Sequence, residues 1–211
     1  MSKKNLVTYE GNDLGVVYEK DHTSFRLWAP TAESVELCFY ANGDGGEADE
    51  VVQMEKSEGG TWFYVKEGDL HKLYYTYKVT VDGVTRESND PYAKAAGVNG
   101  RRSMVVDLAK TNPEGFTEDK GPEVKKWTDI VVYEMSVLDT TSDESCGAKN
   151  PGKYIGLTET GLKTPEGVAT GLDHILDLGV THVQIMPAYD FGSIDESKPE
   201  VPQYNWGYDP I

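Results

Sequence analysis

The chain has 211 residues, with 36 Asp and Glu against 20 Lys and Arg and a formal charge of -16. Its acids are spread along the sequence, so nucleic acid, whose binding draws on cationic contacts to phosphate, is not an expected partner, whereas a neutral ligand is compatible with this charge. The length accommodates one large domain, or one small domain and part of another, and two units fit the pattern better.

In chain order, Met1-Ser2-Lys3-Lys4-Asn5 carries two lysines but leads into no apolar stretch, and no later run reaches bilayer length. This predicts a cytoplasmic protein with no membrane partner. From Asn5 to Leu108 the apolar period is two: Val35, Leu37 and Phe39 alternate with Glu36, Cys38 and Tyr40, and Tyr75, Tyr77, Val79 and Val81 alternate with Tyr74, Thr76, Lys78 and Thr80. Further strands are predicted over 16–18, 24–28, 51–56, 61–65 and 104–107, separated by turn clusters at Asn42 to Gly46, Gly59-Gly60 and Asp82-Gly83. About seven short strands in residues 1–108 predict an all-β sandwich of immunoglobulin-like type. Between Ala109 and Trp127 the periodicity lapses, with breaks at Pro113 and Gly121-Pro122, and this stretch reads as a linker.

From residue 128 the character changes. Ile130-Val131-Val132-Tyr133-Glu134-Met135 is nearly continuous apolar sequence, the pattern of a strand covered on both faces. A helix is predicted with Thr164 as its cap, Pro165 at its first position and Gly179 at its end, and Val168, Leu172, Ile175 and Leu176 on the stripe that packs on a sheet. Val183-Gln184-Ile185-Met186 reads as a second buried strand, which makes residues 128–211 a strand, crossover helix and parallel strand. Such a pair, against about 250 residues for a full eight-stranded barrel, would be the incomplete opening of a (β/α) TIM barrel. Its apolar faces and open edges are expected to dock on the sandwich, to self-associate with another copy or to order poorly.

Few residues read as catalytic. Glu134 and Asp139 lie five apart, on opposite faces of a regular strand, and Asp190, Asp195 and Glu196 read as solvated loop acids. His174 and His182 read as satisfied core residues, and Trp28 and Trp62 as core packing. Cys38 and Cys146 form neither a disulfide framework nor a metal motif, so no metal and no cofactor is expected.

Several motifs carry a family resemblance. Phe25-Arg26-Leu27-Trp28-Ala29-Pro30-Thr31-Ala32, with Val35 and Leu37, resembles the opening of a family 48 carbohydrate-binding module. Asn89-Asp90-Pro91-Tyr92-Ala93-Lys94-Ala95 and Gly97 to Ser103 are similar to the end of that module in type I pullulanases. Tyr154 to Glu159, Gly171 to His174 and Leu178 to Gln184 resemble the start of the pullulanase catalytic barrel, and Tyr204-Asn205-Trp206-Gly207-Tyr208-Asp209-Pro210 resembles the signature that sets these enzymes apart from branching enzymes and isoamylases.

The resemblance implies the N-terminal portion of a retaining α-glucan debranching hydrolase of glycoside hydrolase family 13, acting on α-1,6 bonds of pullulan, amylopectin or glycogen. Retention needs a carboxylate nucleophile and a carboxyl acid/base; in the family these stand on later barrel strands, so no catalytic residue is assigned and the chain alone is expected to be inactive. Substrate-binding residues implied by the resemblance are Tyr208, stacking on a sugar, with Asp209, Asn205 and Trp206 around it. A pyranose has an apolar face for an aromatic ring and hydroxyls for amides and acids, although Tyr204 and Trp206 also fit core aromatics that lock the loop. The sequence departs from the family after Tyr133-Glu134, where Ser136 and Leu138 replace the usual His and Arg. The alternatives are a noncatalytic α-glucan-binding or scaffolding protein, and a protein interaction domain using the sandwich edge.

Overall fold

The computed structural model describes residues 6–210; Met1-Ser2-Lys3-Lys4-Asn5, read above for targeting signals, and Ile211 lie outside the described residues. The chain divides into two units, one running through Phe116 and taking in Asp195–Val201, the other holding Thr117–Ile194 and Pro202 onward.

The first unit is a β-sandwich. One antiparallel sheet has the order β1 (Gly15–Tyr18), β2 (His22–Trp28), β6 (Thr61–Glu67), β5 (Glu55–Lys56). The other has the order β4 (Glu50–Gln53), β3 (Ser34–Tyr40), β7 (Tyr74–Val81), β8 (Val84–Ser88), with β9 (Ser103–Met104) also pairing β7. The period-two pattern explains the pairing, because it gives each sheet one apolar face and the two faces cover each other. Phe25, Leu27 and Trp62 from the first sheet and Val35, Leu37, Phe39, Tyr75 and Tyr77 from the second form a single core. Phe25 meets Phe39 and Tyr75 edge to face, with centroids 5.5 and 5.2 Å apart.

Four details differ from the sequence reading, the first being that the strand predicted over 104–107 is only the two-residue β9. The strand predicted over 51–56 is two: the chain leaves the second sheet after β4 and joins the first at β5, with buried Met54 plugging the switch and its amide donating to Val35 O at 2.9 Å. Strand β8 was not predicted, because Val84-Thr85-Arg86-Glu87-Ser88 is exposed throughout and has no alternation, yet Asp82 (φ 50°) and Gly83 (φ 71°) form the two-residue turn that pairs it to β7. Trp62 is buried as expected, but Trp28 is 38% exposed and its indole N–H donates to Val7 O and Gly59 O.

The second unit pairs β10 (Val132–Met135) and β11 (His182–Ile185) in parallel, from Val132 opposite His182 to Met135 opposite Ile185. Between them lie α1 (Val137–Thr141) and α2 (Gly171–Asp177). Strand–helix–strand is as read, but the helix begins later than predicted. Thr164 does not cap a helix: its hydroxyl accepts from the Glu166 and Val168 amides at 3.3 Å within a turn, Gly167 at φ 86° reverses the chain into a hairpin closed by the Lys163–Ala169 bridge, and Thr170 holds the N-cap position of α2. Gly179, left-handed at φ 68°, ends the helix region as read.

The strands are not covered on both faces: Val132, Val183 and Ile185 are 55%, 43% and 43% exposed, and of the predicted helix stripe only Ile175 is buried. The reason is the scarcity of covering layers, since α2 has only seven residues. His174 and His182, read as core, are exposed for the same reason.

Candidate functional site

Two parallel strands end side by side, and their carboxyl ends create a cleft because the chain must turn away from each. After β10, Ser136 caps α1, its Oγ accepting from the Asp139 amide at 3.3 Å. After β11, the Met186 amide extends the ladder to Met135 O at 3.0 Å. The resulting cleft, of about 100 Å³, is lined by Leu138, Tyr154, Met186, Phe191, Asn205 and Gly207 among others.

The loop 204–210 closes one side of the cleft through a set of inward hydrogen bonds. Asn205 Oδ1 accepts from the Gly207 amide, while its Nδ2 donates to Asp209 Oδ1 at 3.0 Å and to Ser193 Oγ at 3.3 Å. Asp209 Oδ2 accepts from the Ser193 amide and its carbonyl from the Gly192 amide, both at 2.9 Å, and a bridge between Phe191 and Pro210 ties the strands of the loop together. Gly207 is buried at φ 89°, a conformation that favours glycine, and a Cβ there would come within 2.8 Å of Met186 Sδ, which would have to shift.

With the polar groups turned inward, the aromatic rings turn out: Tyr204, Trp206 and Tyr208 are 81%, 64% and 45% exposed. Of the four binding residues named from the sequence, Asn205 and Asp209 form the internal frame of the loop, and Trp206 and Tyr208 are the members that present ring surface. Tyr154, 52% exposed on the cleft wall, was missed as a site residue. Its signal was weak, a tyrosine after the Pro151-Gly152 turn that fits an ordinary surface residue.

The acids considered as catalytic do not converge. Glu134 and Asp139 are exposed, and neither lines the cleft. Asp195 is occupied locally: the Lys198 ammonium at 2.6 Å and the Ser197 hydroxyl at 2.5 Å hold its carboxyl down to about 2. Glu196 exchanges two hydrogen bonds with Asn99, receiving from its amide at 2.8 Å and donating its own amide to Asn99 Oδ1 at 3.1 Å. Among the described residues no cluster of three His, Cys, Asp or Glu side chains suits a metal, and no helix is long and apolar enough to cross a membrane.

The sandwich has a polar bowl of about 480 Å³ on the outer side of its second sheet, lined by Tyr40, Lys78, Glu87 and Arg102 among others. Tyr40 and Thr76 both donate to Glu87 Oε1, at 2.5 and 2.6 Å, and the Arg102 guanidinium lies 3.6 Å from the Tyr40 ring centroid while donating to Asn42 O and Gly46 O. Burial, then the Glu87 hydrogen bond, pushes the Tyr40 phenol up to about 12. Because Arg102 covers that ring, the bowl offers hydroxyl-binding groups but not the face of Tyr40.

Comparisons with known proteins bear on both regions. Residues 13–93 match carbohydrate-binding module 48, the isoamylase N-terminal domain. Over 96% of its length the chain is 35% identical to a pullulanase of Bacillus subtilis, of which it spans 27%. Over 98% of its length it is 30% identical to the chloroplastic pullulanase 1 of Arabidopsis thaliana, of which it spans 25%. The crystal structure of the Paenibacillus barengoltzii pullulanase in complex with maltohexaose and alpha-cyclodextrin matches 97% of the chain at a TM-score of 0.92 and 46% identity, the chain covering 32% of it. Residues 13–93 thus match the carbohydrate-binding module 48 domain, and the chain as a whole is similar to the N-terminal part of pullulanases, of whose length it spans about a quarter to a third.

Proposed function

We propose that this chain seats α-glucan for a pullulanase-type debranching reaction, in which the second unit forms the opening of a (β/α) barrel and residues 109–127 link it to the sandwich. The observation that carries this reading is the loop 204–210, which spends Asn205 and Asp209 on its own frame and holds Trp206 and Tyr208 open to solvent. A pyranose face laid on the Tyr208 ring, with Trp206 beside it, would gain apolar contact without breaking any of the loop's hydrogen bonds. The position at the carboxyl ends of parallel strands is where barrels bind ligands.

Cleavage with retention needs a carboxylate nucleophile and a carboxyl acid/base about 5 Å apart. The cleft is lined by aromatic, aliphatic, amide and hydroxyl groups, and the role proposed for them is to bind and orient the glucan. The noncatalytic α-glucan-binding reading is favoured by the polar bowl of the sandwich, whose Lys78 and Glu87 suit sugar hydroxyls.

Titration of the chain with maltohexaose, followed by tryptophan fluorescence and by amide shifts, tests the proposal. Tyr208→Ala is expected to weaken binding by about tenfold, the loss of roughly 1.4 kcal/mol of ring contact. Shifts confined to residues 40–51 and 78–102 would move the function to the bowl, and release of reducing ends from pullulan by the chain itself would overturn the noncatalytic role.

A further inference from the structure

The chain contains the dipeptide Asn-Gly twice, at Asn42-Gly43 and at Asn99-Gly100. In this pair the second residue has no Cβ, so its backbone nitrogen is open to the asparagine side-chain amide, the geometry an intramolecular attack needs. The two copies are set in opposite ways.

Asn99 is locked. Its side-chain carbonyl accepts from the Glu196 amide at 3.1 Å, and the Gly100 amide, whose nitrogen would attack, donates to Gly97 O at 3.0 Å. Attack there has to break both bonds first. Asn42 is exposed, and among the described residues neither its side chain nor the Gly43 amide has a hydrogen-bond partner. The chain on either side of this pair is nonetheless fixed: Asp49 Oδ2 accepts from the Ala41 amide at 2.6 Å, and Arg101 donates to both carboxylate oxygens of Asp44 at 2.8 Å. Asn42 O is held by Arg102, whose guanidinium is 8% exposed and donates to it at 2.7 Å. Among the described residues this guanidinium forms no ion pair with a carboxylate.

The Arg102 contact bears on reactivity, because Asn42 O and the Gly43 nitrogen belong to one peptide group. When the Gly43 amide loses its proton, negative charge spreads onto Asn42 O, where a buried cation already donates. A donor fixed at the atom on which charge develops favours the charged form.

We propose that Asn42-Gly43 is a site of spontaneous deamidation assisted by Arg102. The Gly43 nitrogen gives up its proton and bonds to Asn42 Cγ, and the side-chain nitrogen leaves with a proton as ammonia, closing a succinimide ring. Water then adds to one of the two ring carbonyls and breaks its bond to the Gly43 nitrogen, which regains a proton. Opening at Cγ gives aspartate. Opening at the former main-chain carbonyl gives isoaspartate, and the carboxylate it frees contains the oxygen that Arg102 already holds. The guanidinium thereby gains the ion pair it lacks, which selects the isoaspartyl product. That product adds one negative charge and one main-chain atom to the loop whose Gly46 lines the polar bowl beside Arg102.

The test incubates the full chain at mildly alkaline pH, folded and in urea, follows both Asn-Gly peptides by mass spectrometry, and counts isoaspartate with an isoaspartyl methyltransferase. In the folded chain Asn42 is expected to deamidate at least about tenfold faster than Asn99. In urea, where both settings are lost, the two rates should converge, and the ratio of isoaspartate to aspartate at position 42 should fall. Arg102→Met should slow the folded-state reaction at Asn42 by about tenfold and lower its isoaspartate share, and Arg102→Lys, which keeps the charge, should restore part of both. If Arg102→Met does not fold, the comparison of folded and urea-treated parent chain decides. A folded-state rate at Asn42 no faster than at Asn99, an isoaspartate ratio that urea leaves unchanged, or an undiminished rate in a folded Arg102→Met would overturn the proposal.

Discussion

The sandwich and the parallel-strand unit are made of comparably apolar strands and end with opposite burial. Val35, Leu37 and Phe39 of β3 are at most 2% exposed, whereas Val183 and Ile185 of β11 are each 43% exposed. An apolar pattern states what a strand can bury, and the presence of an opposing layer decides whether it does. Each sheet of the sandwich is the other's layer, while the connection between β10 and β11 supplies two short α-helices, of five and seven residues. The second unit is correspondingly ordered by polar staples. Glu159 accepts from the amides of Lys149 and Asn150, Thr141 Oγ1 accepts from the Gly152 amide, and Asn205 and Asp209 frame the loop 204–210.

The largest predicted effect separates the two kinds of order. Phe25→Ala removes a ring at 0% exposure that contacts Phe39 and Tyr75, and should cost about 3–5 kcal/mol of sandwich stability. Urea unfolding followed by signals of β3 and β7 measures it. A loss below about 1 kcal/mol would mean that the core is looser than the packing of its rings, and the contrast between the units would disappear.

Next in size is a polar staple of the second unit. Thr141 is fully buried, and Thr141→Val keeps its shape while leaving the Gly152 amide without its acceptor. Gly152 is half-buried, so the cost is about 1 kcal/mol, the lower end for an unsatisfied donor. Amide exchange at Gly152 should accelerate accordingly, with β3 and β7 unchanged. If exchange in the sandwich accelerated as much, the two units would unfold as one, against the contrast drawn here.

The same contrast explains what was legible in the sequence. Strands β2, β3, β6 and β7 follow period two because one face meets the core, and the pattern shows it. Strand β8 has no buried face and is held by the Asp82-Gly83 turn and its ladder to β7, so its sequence carried only the turn signal. Met54 looked like one apolar residue within a single strand; that it ends one strand and begins another depends on which sheet is nearer, which is tertiary information. The start of α2 was missed because Thr164-Pro165 has the chemistry of a helix cap while Gly167, three residues on, turns the chain back. At the loop 204–210 the residue types were readable and their division of labour was not: Asn205 and Asp209 suit either a ligand or a loop frame, and only the positions of Ser193 and the Gly207 amide assign them inward.

The smallest effects concern acid, where one buried carboxyl of the sandwich and one staple of the second unit should respond with opposite sign. In the sandwich, burial raises the Asp90 carboxyl above its ordinary value against the pull of the Tyr92 amide and the Tyr75 hydroxyl. A raised folded-state value means that the native protein binds this proton more tightly than the unfolded chain, so the contribution is full below the ordinary carboxylate value of about 3.9 and is lost as pH rises through the raised one. In the second unit, the amides of Lys149 and Asn150 and the Asn150 side chain hold Glu159 below its ordinary value. Its contribution is present above about 4.3 and is lost as pH falls through the depressed value. Comparing urea midpoints of Asp90→Asn and Glu159→Gln with the parent protein across the acid range isolates each group from the other acids. The parent-minus-variant difference should fall with rising pH for Asp90 and grow with rising pH for Glu159. Trends of the same sign would show that the Asp90 carboxylate is stabilised by its hydrogen bonds more than it is penalised by burial.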